Sequence, residues 1–263
     1  MELIQYIMLG VLQGLTEFLP VSSSGHLVIA QSLIKDFQQP GLLFDVLVHF
    51  ATFCAVLIYF RKKIFKLLKA LIGFVVLKYR VTYFENRNML WGVIVASIPT
   101  AIIGLYLERI SEVLFSSTTY VGYALIFTSL LLVFSDRVTA RGDINTPKSL
   151  LVGIMQGIAV IPGISRSGST IAVALFLNIK RQEAAEFSFI MALPAVFGAT
   201  ILQAKHLNSL DSLMIFPYLT AMVAAFFSGL FAIFLMMKLV KKARLAYFAI
   251  YCLILGIITI IWL

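Results

Sequence analysis

The sequence predicts an all-α polytopic membrane protein, with six transmembrane helices and two re-entrant helical hairpins in an inverted repeat. Three observations predict it: an apolar composition poor in charge, six apolar runs whose linkers carry lopsided charge, and a polar phrase that occurs twice. Apolar residues make up 61% of the 263 residues and charged residues 13%, whereas a soluble domain carries about 25% charge. Mean hydropathy is +1.00. No Ser-, Pro- or Gly-rich linker interrupts the chain, so residues 1–263 read as a single membrane domain.

The six runs cover 42–60, 89–107, 119–135, 186–204, 214–237 and 245–263, each near the ~20 residues that a bilayer requires. Linker 61–87 carries Arg61, Lys62, Lys63, Lys66, Lys69, Lys78, Arg80 and Arg87. Linker 136–148 carries Arg137, Arg141 and Lys148; Lys180 and Arg181 precede the fourth run; Lys238, Lys241, Lys242 and Arg244 precede the sixth. The opposite loops hold only Lys35, Arg109 and Lys205, so seventeen of the 21 Lys and Arg lie on one side. By the positive-inside rule that side is cytoplasmic. Distributed in this way, the net charge of +9 reports topology and gives no reason to expect nucleic acid. Segment 64–77 begins as a basic amphipathic helix lying on the cytoplasmic surface. Glu2 and the lack of a basic n-region argue against a cleaved signal peptide. Cys54 and Cys252 sit in apolar runs, and the three histidines are unrelated in spacing. Neither a disulfide framework nor a zinc site is indicated.

The remaining cation, Arg166, lies in "PGISRSGST" (162–170), flanked on both sides by apolar sequence. That phrase has a partner. "GVLQGLTEFLPVSSSGH" (10–26) and "GIMQGIAVIPGISRSGS" (153–169) both read G-x-x-Q-G, then an apolar stretch to a proline, then serines ending in Ser-Gly. Three apolar runs follow each copy, which divides the chain into halves of approximately 1–135 and 148–263. The run 42–60 ends at Arg61–Lys62–Lys63 and so passes from outside to inside; hairpin one, 2–34, therefore begins and ends outside. Lys180–Arg181 precede 186–204, so hairpin two, 149–178, begins and ends inside. Broken helices of inverted halves meet near the midplane in many transporters, and irregular backbone at that depth must line protein or water. In the plainer alternative 2–19 and 149–165 each span, which would break the charge asymmetry.

Charges at the bilayer centre cost about 2.5–3.5 kcal/mol on insertion scales and mark function by default. Arg166 stands among Ser165, Ser167, Ser169 and Thr170, with Gly163 and Gly168 freeing the backbone. A turn into a helix N-terminus directs N–H groups at an anion, and arginine adds a fork matched to phosphate. A bare Arg166–Glu17 ion pair is the plainer reading, but it would not require four hydroxyls. In hairpin one, Gln13 and Glu17 are four apart and share a helical face. They can hold a hard cation or activate water. Pro20 ends that helix, Ser22, Ser23 and Ser24 follow, and His26 stands at the next turn. Acid, hydroxyl and imidazole together have the parts for covalent or acid–base phosphate chemistry. Asp45 and His49, also four apart, read as a self-satisfying pair near the outer rim. Glu183 and Glu186 read as helix-start acids favoured by the dipole. Pro99 and Pro194 are expected to kink their spans.

At "QGLTEFLPVSSSGH" and "PGISRSGST" the chain resembles the bacterial undecaprenyl-diphosphate phosphatases, the bacitracin-resistance family. The family's first motif, E/Q-x-x-x-E, is met by Gln13 and Glu17, followed by the serines and His26. Its second, P-G-x-S-R-S-x-x-T, is met at every fixed position by Pro162, Gly163, Ser165, Arg166, Ser167 and Thr170. "FDVLVHFATFCAVLIYF" and "EAAEFSFIMALPAVFG" are also similar to family segments. Gln13 in place of Glu weakens any requirement for paired carboxylates. The resemblance implies hydrolysis of undecaprenyl diphosphate to the monophosphate and inorganic phosphate, which recycles the lipid carrier for cell-wall polymers. It also implies a divalent cation, magnesium or calcium, and an outward-facing site in the bacterial plasma membrane; Glu17, with Gln13, would bind that metal or orient the attacking group. The expected partners are the lipid substrate and membrane lipids, with a homodimer compatible. In this reading Arg166, Ser165 and Thr170 hold the diphosphate, aided by Ser22, Gly163 and Ser167. Ser23 is the first choice of nucleophile and His26 of general acid/base, with the reverse assignment open. The rival is a lipid-phosphate flippase that uses the inverted repeat for alternating access.

Overall fold

The computed structural model describes residues 3–34, 41–108, 117–203, 212–242 and 244–263. Lys35, Arg109 and Lys205, the cations assigned outside, and Glu2 lie beyond the described residues. Eleven α-helices occur among those described: α1 Leu3–Phe18, α2 Ser23–Leu33, α3 Gly41–Tyr59, α4 Arg61–Gly73, α5 Arg80–Glu108, α6 Thr118–Asp136, α7 Thr146–Ile158, α8 Arg166–Phe176, α9 Arg181–Gln203, α10 Ser212–Lys242 and α11 Ala246–Trp262. The β pairing among them is one isolated bridge, Gly142 with Ile179.

All six apolar runs are helices. α5, α6, α9 and α10 are long and apolar enough to cross a membrane, and α3 with α4 forms a fifth candidate bent by 80°. The bend places "RKKIFKLLKALIG" across the line of α3, as a basic amphipathic segment requires. α11 has 17 residues, at the lower limit for a span. Pro99 and Pro194 lie inside α5 and α9, which continue through them. The hairpins are shorter. α2 and α8 have 11 residues each, about 17 Å at 1.5 Å per residue, too little for the ~30 Å hydrocarbon core.

Helix α1 packs along α10, and α7 packs along α5. The repeated G-x-x-Q-G phrase explains both contacts. A Cβ on Gly10 would lie 2.2 Å from the carbonyl oxygen of Ala221, and one on Gly153 would lie 2.3 Å from that of Ala96. Gly14 and Gly157 meet Ala225 and Ile103 one turn on, at 2.4 and 2.7 Å. Each copy thus carries the small-x-x-x-small spacing that lets membrane helices approach backbone to backbone. Gly10→Ala and Gly153→Ala should each force a helix pair apart and cost about 1–3 kcal/mol. The expected readout is a lower melting temperature in detergent; unchanged melting in both would refute the close approach.

The linkers expected to share a side also share an end. Arg181 Nη2 donates to the Asp136 carbonyl at 3.0 Å and to Asp136 Oδ1 at 3.1 Å, and Leu245 N donates to the same carboxylate at 2.9 Å. Lys180 pairs with Asp143 at 2.5 Å, and its hydrogen bond and charge hold that carboxyl below the usual range. Glu183, in the first turn of α9, accepts from Ile144 N at 3.3 Å, and Glu186 pairs with Lys63 at 3.8 Å, contacts to other segments beyond the helix-start placement read from the sequence.

Candidate active site

The turns of the two hairpins meet tip to tip. Ser22 Oγ accepts from Gly25 N at 3.2 Å, capping α2; Ser165 Oγ accepts from Gly168 N at 3.1 Å, capping α8. The tips also bind each other: Gly163 N donates to Ser22 Oγ at 3.1 Å, and Ser167 Oγ donates to the Leu19 carbonyl at 3.1 Å. Gly163 has φ 93, a left-handed conformation that glycine adopts without penalty. Ser22 holds φ 69 without being glycine, and such strain persists only where surrounding bonds fix it.

Three donors surround the buried Glu17 carboxylate, and an imidazole stands beside them. Arg166 Nη2 pairs with Oε1; Gln13 Nε2 donates to Oε2 at 2.8 Å and Ser23 Oγ at 2.5 Å. His49 Nε2 stands 3.4 Å from the same Oε2. His49 Nδ1 lies 2.7 Å from the Asp45 carbonyl, which can only accept. Nδ1 therefore carries the proton, and in the neutral ring Nε2 is left as a lone pair facing the site.

This cluster forms the polar end of a cavity of about 740 Å³ lined by residues of α1, α2, α3, α5, α7, α8 and α9. Glu17, Ser23, Ser24, Asp45, His49, Ser165 and Arg166 reach it, and the remaining wall is mainly apolar. Two helix N-termini open on this end, α2 at Ser23–Ser24 and α8 at Ser165–Arg166. Their first N–H groups have no partner within the helix, and both helix dipoles favour an anion there.

The structure therefore brings Glu17, Ser23, Ser165 and Arg166 together at the cavity, with Gln13 buried beneath Glu17. Ser167 faces a separate small recess that Glu17 and Arg166 also border. Ser22 and Gly163 brace the tips. Thr170 is fully buried; its Oγ1 donates to the Arg166 carbonyl at 2.7 Å and lies 2.6 Å from Ser188 Oγ. His26 is not brought to the carboxylate. Four residues after Ser22, its ring folds back so that Nδ1 lies 2.7 Å from the Ser22 carbonyl, and Nε2 lies 2.7 Å from the Tyr251 hydroxyl. The imidazole at Glu17 is His49. Its spacing from Asp45 marked it in the sequence; the two meet through the Asp45 carbonyl, while the Asp45 carboxylate accepts from Gln31 of α2 at 3.1 Å.

The family described as bacitracin resistance protein BacA matches residues 6–258, a stretch that includes both hairpin tips. The chain belongs to the BacA family. Relatives named undecaprenyl-diphosphatase extend over nearly the same length. That of Syntrophotalea carbinolica is 45% identical over 260 residues, covering 97% of each chain. That of Methanosphaera stadtmanae is 39% identical over 273 residues, covering 99% of this chain and 98% of the relative. That of Christiangramia forsetii is 38% identical over 267 residues, covering all of this chain and 98% of the relative. In this BacA-family chain the two motifs are the two hairpin tips, and the cavity lies where they meet.

Proposed function

We propose that the chain hydrolyses undecaprenyl diphosphate to undecaprenyl phosphate and inorganic phosphate, the activity for which its relatives are named. One observation carries the reading: a serine hydroxyl bound to a carboxylate stands beside Arg166 where two helix N-termini open on one end of an apolar cavity. The N-termini and Arg166 hold the diphosphate and stabilise charge as the bond breaks. Ser23 Oγ attacks the terminal phosphorus, Glu17 takes its proton, and the bond to the bridging oxygen breaks to release undecaprenyl phosphate. Water then cleaves the phosphoserine, returning Ser23 and freeing inorganic phosphate. His26 acts on this step through the Ser22 carbonyl, holding the strained turn that presents Ser23. Phosphate release from undecaprenyl diphosphate by the purified chain in detergent is the test; a pure flippase would release none.

His49 faces the same carboxylate, and we assign it the proton traffic that the sequence suggested for His26. General acid–base groups contribute about 10²–10⁴-fold. With Glu17 retained and water able to enter, His49→Ala is expected to lower turnover about tenfold, below that range. Turnover equal to that of the unmutated chain would remove His49 from the mechanism.

A magnesium or calcium ion fits part of this donor set. Glu17 offers one carboxylate, and Gln13 Oε1 is buried without a hydrogen-bond partner. Among the described residues no three His, Cys, Asp or Glu side chains form a cation site. Hard cations are often held by one carboxylate together with substrate phosphates, so Glu17 and Gln13 would hold such an ion with the diphosphate. Its contribution would be to neutralise phosphate charge.

The charge asymmetry supports hairpins that enter from opposite faces, and the family resemblance supports a plasma-membrane protein with its site open to the outside. In a background lacking Cys54 and Cys252, a cysteine at Ser117 should react with an impermeant thiol reagent on whole cells. Cysteines at Lys62 and Asp143 should react only after permeabilisation. Labelling of Asp143 in intact cells would overturn this orientation.

A further inference from the structure

We infer that Gly104 and Gly198 set the width of a groove that receives the prenyl chain, and are the positions that determine chain length; the inference rests on the phosphatase reading above. Both glycines line the apolar part of the cavity, Gly104 from α5 and Gly198 from α9. Both stand inside long helices, where glycine is disfavoured relative to alanine. Elsewhere in this fold close packing accounts for glycine: a Cβ on Gly10, Gly14, Gly153 or Gly157 would lie less than 3 Å from a neighbouring atom. Gly104 and Gly198 are not crowded in this way. A Cβ on Gly198 would meet nothing within 4 Å, and one on Gly104 would meet only Val160 Cγ2 at 3.7 Å, an ordinary contact.

What these glycines leave open is therefore the groove itself. It runs from the Glu17–Arg166 cluster to a surface on which Ala101, Leu105, Val160, Ala199 and Leu202 are exposed. In a membrane-spanning chain that surface meets lipid. A diphosphate held at the polar end would send its hydrocarbon along this wall and out among the acyl chains. A short prenyl diphosphate fills less of this wall than undecaprenyl diphosphate does, and so depends less on the space the two glycines leave.

The test compares phosphate release from undecaprenyl diphosphate and from farnesyl diphosphate, using the full chain in detergent. Gly198→Leu and Gly104→Leu add bulk from two different helices, which guards against a folding defect in either one. In each, the ratio of kcat/KM for the long over the short substrate should fall at least about tenfold, chiefly through KM, as lost ground-state binding requires. An unchanged ratio overturns the inference. So does an equal fall on both substrates, which is what a helix-bending role beside Pro99 and Pro194 would give. Release of no phosphate from either substrate by the unmutated chain would instead defeat the phosphatase reading.

Discussion

Arg166→Lys should reduce turnover about 10²–10³-fold, although the positive charge is kept. Arg166 reaches the cavity from the first position of α8, with its side chain 23% exposed and one nitrogen on Glu17. Its planar fork leaves further N–H groups for phosphate oxygens, whereas lysine offers a point charge on a flexible stem. Losing one donor aimed at developing charge costs about 2.7–4 kcal/mol in the barrier. Lysine can still pair with Glu17, so the fold should survive, and the melting temperature in detergent checks that. Turnover by folded Arg166→Lys within a few-fold of the unmutated chain would reduce Arg166 to a counter-ion.

Glu17→Gln should reduce turnover at least about a hundredfold, the scale of losing a general base. The carboxylate accepts from Arg166, Gln13 and Ser23. An amide accepts through one oxygen only and turns an N–H against a donor. Ser23 then loses its proton acceptor while Arg166 and both helix N-termini remain. Binding of undecaprenyl diphosphate should therefore persist as turnover collapses. Some stability should also go, because Arg166 loses its partner, but its partial exposure lets water take over. A variant that melts earlier yet hydrolyses substrate normally per folded molecule would make Glu17 structural.

The six helices at the apolar runs were legible because burial in lipid writes itself into composition over some twenty residues. The Glu17–Ser23 contact was legible for a different reason: both residues lie in one short hairpin, on either side of Pro20. His49 was not legible. Its neighbour Glu17 lies on α1, and nothing local tells which face of α3 will meet α1. His26 misled for the opposite reason. Its closeness to the serines in sequence is real, but a residue four positions along a helix lies under the earlier carbonyl, and there Nδ1 finds its partner. The repeated glycines were visible as a pattern, yet their purpose became physical only with Ala221 and Ala96 opposite them.

The two hairpin tips close with the same cap, Ser22 on Gly25 and Ser165 on Gly168. The first residue of the helix that follows is Ser23 in one and Arg166 in the other. In the proposed mechanism, one backbone device thus presents a reactant on one side and a charge on the other, and the same reaction requires both. A chain with two serine tips would lack a clamp, and one with two arginine tips would lack an attacking group. On that mechanism the halves are complementary rather than redundant, and neither could be lost, swapped or copied over the other without ending the chemistry.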